Sequence, residues 1–346
     1  MRAIVYEKQG VLSLESRPKP CLKNERDAIV RVTLASICTS DLHVKHGAVP
    51  RAVPGVTVGH EMVGVVEQVG TSVRRVKPGD RVSVCVETFC GECFYCKRGF
   101  VNNCADPLGG WALGCRIDGG QADFVRVPHA DQGLTRIPET VTDEQALFVG
   151  DILATGYWAA QLAEIKQGDT VAVLGAGPAG LCAMMCAGLY GASHVVAVDP
   201  LAERLALAKA QGWADETADP TRDDVDDLIR RLTNGRGADA VIEAAGAADT
   251  FQTAWRIARP NAVVVVAAMY ETAQRLPLPE MYGKNLTFKT GGVDANASAR
   301  ILRLIEEGRL DTTRLLTHIY PLSAAMDAYE LFEKKQDGVI KVALRP

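Results

Sequence analysis

Up to about residue 150 the chain carries short apolar runs rich in Val and Ile, such as 28–32 and 64–69, separated by Pro/Gly turns of the kind seen at Lys77, Pro78, Gly79 and Asp80. Runs of that length with turn residues between them predict short strands of a β-rich, partly barrel-like domain. From about Asp151 the pattern changes: strands are expected near 170–174, 194–198, 238–243, 262–267 and 286–290, with helical periodicity between them. Strands alternating with helices predict a parallel, doubly wound sheet. After Gly291 and Gly292 the chain returns to amphipathic helices, about 297–308 and 323–335, and a last strand over 339–344 that is expected to fold back onto the first domain.

A chain of 346 residues exceeds the size at which one core usually stops growing, so two domains are expected. The boundaries read as 1–150 with 295–346, and 151–294. Hydrophobic residues at 47%, charged residues at 23% and a net charge of -4 describe an ordinary globular protein with no basic tract for a phosphate backbone, which argues against nucleic acid as a partner. Met1 to Lys8 places charges where a signal peptide would carry its apolar core, so a cytoplasmic protein with a first strand is expected. The stretch from Thr170 to Val198 lacks Asp, Glu, Lys and Arg and is long enough to imitate a membrane span. Gly175, Gly177, Pro178, Gly180, Gly188 and Gly191 divide it into strand, turn, helix and strand, so no membrane association is expected.

Within that stretch, the strand 170–174 runs into Gly175-Ala176-Gly177-Pro178-Ala179-Gly180 and then a helix. This spacing allows a tight turn, close approach of a pyrophosphate to the backbone, and close helix-strand packing, with the helix N-terminus facing the phosphates. The following strand ends in Asp199, where a carboxylate can accept both hydroxyls of an adenosine ribose and repel a 2′-phosphate. NAD is therefore favoured over NADP. Asp199 also stands where it could cap a helix beginning at Pro200-Leu201, and Arg204 could approach a 2′-phosphate.

Ten cysteines in a cytosolic chain point to metal ligation before disulfides. Cys90, Cys93, Cys96 and Cys104 have the spacing of a closed tetrahedral zinc site in a lobe over about 87–105, a structural role. An iron-sulfur cluster uses similar spacing. Cys38-Thr39-Ser40-Asp41-Leu42-His43, followed by Gly59-His60-Glu61, supplies a thiolate, an imidazole and a carboxylate beside a hydroxyl. A catalytic zinc takes three protein ligands and leaves one position open, so this is most of such a site.

Across essentially its whole length the chain resembles the zinc-dependent medium-chain alcohol dehydrogenases, through Cys38-x-Ser40-Asp41-x-His43, Gly59-His60-Glu61, the four-cysteine lobe, and Gly175 to Gly180 with Asp199. The resemblance implies a GroES-like catalytic domain joined to a Rossmann domain, and two zinc ions per chain. It implies that Cys38 and His60 ligate the catalytic zinc. Where many members place a cysteine as third ligand this chain has Asp151, like the branch containing microbial secondary-alcohol and formaldehyde dehydrogenases. Asp151 also stands where it could cap the helix after it. Known secondary-alcohol enzymes prefer NADP and lack the second zinc, so the chain departs from them at Asp199 and at the lobe. Glu61 either stands behind the ligands or binds the metal itself.

The resemblance further implies that zinc lowers the pKa of a bound alcohol, that Ser40 and His43 carry its proton to solvent, and that NAD takes the hydride. By the same resemblance Trp111, Tyr270 and Asp294 line the substrate pocket, although both aromatics could be core residues. The expected substrates are primary or secondary alcohols and the matching aldehydes or ketones. Polyols, butanediols or amino alcohols are the alternative, and a non-catalytic zinc and nucleotide-binding module a more distant one. The resemblance also implies a homo-oligomer, tetramer before dimer. The strand 262–267 and the sheet edge near 286–290 could form subunit contacts, although a buried central strand explains the valines of 262–267 equally well.

Overall fold

The computed structural model describes residues 1–346 and divides them into two compact units, Met1–Ala154 with Asp294–Pro346, and Thr155–Val293. In the first, a seven-stranded sheet runs in the order Leu316–Pro321, Lys341–Arg345, Ala28–Ile37, Met62–Val69, Arg81–Val84 and Leu134–Arg136, with Phe124–Val127 paired to Ala28–Ile37. The alternation of Val, Ile and Ala fills its core with Val30, Val32, Met62, Val66, Val82 and Val84, all buried. The C-terminal strand pairs antiparallel with Ala28–Ile37, so that Val342 faces Ile37 and Leu344 faces Ala35. That register brings Lys341, near the end of the chain, beside the start of the Cys38 segment.

The second unit is a six-stranded sheet in the order Glu216–Ala218, His194–Val198, Thr170–Leu174, Ala238–Glu243, Ala258–Val266 and Thr287–Thr290, parallel at every pairing. The order reverses between Thr170–Leu174 and Ala238–Glu243, and ligands of such sheets bind in the crevice at the carboxyl ends there. The charge-free stretch resolves into strand Thr170–Leu174, helix Pro178–Leu189 and strand His194–Val198. No helix is long and apolar enough to cross a membrane.

Element ends shift from expectation for local reasons. The helix after Asp199 starts at Ala202, not at Pro200-Leu201, because Leu201 keeps an extended backbone (φ -92, ψ 106). The late helices are Ser298–Glu306 and Ala325–Glu333. The strand Ala258–Val266 is paired on both sides, whereas Thr287–Thr290 is the sheet edge.

Candidate active site

The strand Ala28–Ile37 delivers Cys38 in extended conformation (φ -116, ψ 156) to the start of the helix Thr39–Lys45. Asp41, at the third helical position, turns back so that its Oδ2 accepts from the Cys38 N–H at 2.9 Å, and Gln121 Nε2 donates to the same oxygen at 3.0 Å. The other oxygen, Oδ1, lies 3.1 Å from His60 Nδ1. With Nδ1 turned toward Asp41, the ring's Nε2 faces Asp151 Oδ2 at 3.2 Å, and this oxygen lies 3.8 Å from Cys38 Sγ. The donor atoms of Cys38, His60 and Asp151 all fall within 4.8 Å of one another, and all three residues are buried.

These separations match a zinc ion's needs, since bonds of about 2.0–2.3 Å in a tetrahedron put neighbouring donors about 3.3–3.8 Å apart. Electrostatics agree. Burial opposes charge on His60, yet Asp41, Asp151 and Cys38 hold its protonated form well above the usual histidine range. Burial likewise opposes charge on Asp151, while His60 keeps its carboxyl below the usual range. The carboxylates of Asp41 and Asp151 and the Cys38 sulfur gathered around His60 make surroundings that suit a cation. The Asp41–His60 contact is the carboxylate-histidine arrangement that orients metal ligands.

The alternative cap role of Asp151 falls to another residue. Glu61 Oε1 accepts from the Ile152 N–H, the first residue of the helix Ile152–Leu162, at 3.2 Å, which leaves the Asp151 side chain turned to His60 and Cys38. Glu61 Oε2 is ion-paired with Lys341 Nζ, and both residues are fully buried. Lys341 Nζ also donates to the Ile37 carbonyl at 2.9 Å. Burial works against the Lys341 ammonium, but Glu61 and then Cys38 keep it above the usual lysine range.

Ser40 and His43 lie three positions apart on Thr39–Lys45, hence on one face of it, and both are half-buried. Ser40 Oγ is 3.9 Å from Cys38 Sγ. Trp111 meets the His60 ring edge-on at 5.2 Å and donates its indole N–H to the Leu113 carbonyl at 2.9 Å. Asp294 Oδ1 accepts from the Asn102 N–H at 3.0 Å, and burial raises its carboxyl above the usual range. Tyr270 belongs to the other unit, where its hydroxyl meets Thr250 Oγ1 at 2.9 Å and its ring packs on Phe251, Trp255 and Met281.

In the lobe, sulfur separations are 3.4 Å for Cys93–Cys96, 3.6 Å for Cys104–Cys90 and 4.0 Å for Cys90–Cys96. Backbone N–H groups of Cys90, Cys96 and Asp106 point at sulfurs of the set. Such donors favour thiolates, and N–H groups of Ala105 and Cys96 bring the Cys93 thiol down to about 6, whereas burial pushes Cys96 up to about 12 and raises Cys104. A closed shell of four sulfurs has the chemistry of a structural zinc site.

At the nucleotide loop, Gly175 adopts φ +98 beside Ala245, and a Cβ on Gly180 would lie 1.8 Å from the Gly175 carbonyl oxygen, so neither accepts a side chain. Gly177 precedes the helix, with Pro178 at its first position and Ala179 following. Asp199 is buried; Oδ2 accepts from the Ala176 N–H and Oδ1 from the Leu201 N–H, both at 2.8 Å. Its carboxylate is therefore fixed to the glycine loop while keeping further lone pairs. Arg204 reaches the same loop, its Nη1 3.5 Å from where a Gly177 Cβ would be.

In the sequence no site role attaches to Asp41, Gln121 or Lys341. A carboxylate at the third position of a helix is a capping signal that could have pointed to Asp41. A lone lysine within the apolar run 339–344 is a comparable signal for Lys341.

Residues 24–139 match the model of the alcohol dehydrogenase GroES-like domain, and residues 178–306 match that of the zinc-binding dehydrogenases. An alcohol dehydrogenase of Cupriavidus necator is 36% identical across 100% of this chain and 99% of its own length. The NADP-dependent isopropanol dehydrogenase of Thermoanaerobacter brockii is 35% identical, covering 91% of each chain. The solved alcohol dehydrogenase of Thermus sp. ATN1 superposes with a TM-score of 0.90 at 36% identity, over 100% of this chain and 99% of that one. With its GroES-like and Rossmann folds, its four-cysteine lobe and its buried Cys-His-Asp trio, the chain belongs to the zinc-dependent medium-chain alcohol dehydrogenases, oxidoreductases that act on alcohols.

Proposed function

We propose that the chain is an NAD-dependent alcohol dehydrogenase that reversibly oxidises primary or secondary alcohols to aldehydes or ketones. The observation that carries this reading is the convergence of Cys38, His60 and Asp151 on one buried point. Zinc held there would supply Lewis acidity, lowering the pKa of an alcohol oxygen. The Cys38 thiolate and the Asp151 carboxylate would balance its charge, His60 would be held as a neutral ligand by Asp41, and Glu61 would stand behind the ligands. Ser40, beside Cys38, accepts the alcohol proton in this reading, and His43 on the same helical face passes it outward. Ser40→Ala is expected to lower kcat by about a hundredfold or more with zinc content and NAD affinity preserved. Near-normal turnover would remove Ser40 from the relay.

The preference for NAD rests on Asp199, whose carboxylate the Ala176 and Leu201 N–H groups hold at the loop. Arg204 and the NADP-dependent relative are the arguments on the other side. NADH and NADPH absorbance across a panel of alcohols tests both points. The expected result is a kcat/KM for NAD at least about tenfold above that for NADP, narrowing or inverting in Asp199→Gly. An unchanged cofactor ratio in that variant would refute the role of Asp199. Asp294, half-buried and near the lobe, favours a second reading in which polyols, butanediols or amino alcohols are the better substrates. A homo-oligomer, tetramer before dimer, accompanies either reading.

A further inference from the structure

Glu87 is a buried carboxylate that the proton relay and the metal ligands leave unused. It is 3% exposed, and its Oε2 meets no hydrogen-bond donor. The short antiparallel pairing of Glu87–Thr88 with Gly110–Trp111 sets Glu87 directly opposite Trp111. Residues opposed in this way project from the same face of the ladder, so Glu87 lies on the face from which Trp111 meets His60 at 5.2 Å.

The surroundings leave this carboxyl available. Gly110, at φ +77, offers no side chain; a Cβ there would lie 3.6 Å from Glu87 Oε2 and would collide with the Asn102 carbonyl oxygen at 2.8 Å. The Arg51 guanidinium lies over the Trp111 ring, 5.5 Å from its centroid, and its charge only partly offsets the burial of Glu87. Asp294 has one oxygen engaged by the Asn102 N–H. Burial, followed by the charge of Asp151, pushes the Glu87 carboxyl up to about 8. Leaving a carboxyl buried without a partner is unfavourable, and a ligand carrying a donor would remove that cost.

We propose that Glu87, on the face shared with Trp111 and His60, forms a subsite for a second hydrogen-bond donor on the substrate, so that vicinal diols and 1,2-amino alcohols are favoured over simple alcohols of similar size. This rests on the dehydrogenase reading above and specifies its substrate class. A hydroxyl or an ammonium group would each meet the Glu87 oxygens, while the carbinol occupies the Cys38, His60 and Asp151 centre.

The test compares kcat/KM with NAD for 2,3-butanediol, 1-amino-2-propanol and 2-butanol in the full-length, zinc-loaded protein and in Glu87→Gln and Glu87→Met. The wild type is expected to prefer the diol or the amino alcohol over 2-butanol by about tenfold or more, and Glu87→Met to lower that ratio by a similar factor, because a site built for a polar group rejects the analogue lacking it. Glu87→Gln separates the two donors: the diol preference survives if a hydroxyl is the partner, and is joined by loss of the amino-alcohol preference if the charge matters. Ratios unmoved in Glu87→Met, with zinc content and unfolding midpoint intact, would overturn the proposal. Calorimetric titration of 1-amino-2-propanol into the same proteins without NAD gives a readout independent of turnover. Tighter binding by wild type than by Glu87→Met, about tenfold or more, is expected, and equal binding contradicts the proposal. A wild type that oxidises no alcohol would refute the dehydrogenase reading while the calorimetry still decides the role of Glu87. Should Glu87→Met fail to fold, Glu87→Ala takes its place in the same comparison, with the same result expected and the same result overturning the proposal.

Discussion

Asp151→Ala is expected to remove one of the two zinc ions from each chain and to lower kcat/KM by about a thousandfold or more, some 4 kcal/mol of transition-state stabilisation. The reason is geometric. Asp151 Oδ2 lies 3.2 Å from His60 Nε2 and 3.8 Å from Cys38 Sγ, so its loss opens the trio on one side and leaves two donors. The variant should fold, because the cap of the Ile152–Leu162 helix comes from Glu61. Zinc analysis by plasma emission together with NADH formation checks this. Full zinc content with normal turnover would show that Asp151 is no ligand, whereas an unfolded variant would show that its role is structural.

The second large effect concerns Lys341, which is fully buried. Lys341→Met would leave Glu61 fully buried without its cation, and removing one partner of a buried pair typically costs about 3–5 kcal/mol. The loss should appear as a lower denaturant midpoint. The pair also sits between the Ile37 carbonyl and the Ile152 N–H, one residue from Cys38 on one side and one residue from Asp151 on the other. Zinc affinity should therefore weaken along with stability. Adding Glu61→Gln to Lys341→Met removes the stranded charge and should recover part of the stability, the coupling expected of residues in contact. Stability within about 1 kcal/mol of wild type in the single variant would contradict the account.

Legibility in the sequence followed the distance over which the chemistry is assembled. The glycine turn from Gly175 to Gly180 and the four cysteines from Cys90 to Cys104 are local patterns, and each is one continuous piece of the structure. Strands 170–174 and 194–198 are readable to the residue because they are mostly apolar runs bounded by turns and buried on both faces, and 238–243 is readable through its apolar centre between Asp239 and Glu243. The link from Lys341 to Ile37 spans 304 positions and that from Asp151 to Cys38 spans 113. Such links depend on sheet register, which residue spacing does not encode. Asp151 is legible only through its family position, and the choice between ligand and helix cap turns on Glu61, whose side chain reaches the helix from just before the strand Met62–Val69. Trp111 was placed in the pocket by resemblance, and its contact with His60 is visible in the fold. Glu87 gives no signal of a site, since a lone Glu between Val86 and Phe89 at the start of the lobe reads as a solvated charge until the strand pairing turns it inward.

The claim on which the rest depends is that Cys38, His60 and Asp151 hold a zinc ion. Anomalous diffraction at the zinc absorption edge from crystals of the full-length protein tests it most directly. The account predicts two anomalous peaks per chain, one enclosed by Cys90, Cys93, Cys96 and Cys104 and one bound by Cys38 Sγ, a ring nitrogen of His60 and a carboxylate oxygen of Asp151. A single peak confined to the lobe, or a second peak with Asp151 turned away from it, would contradict it.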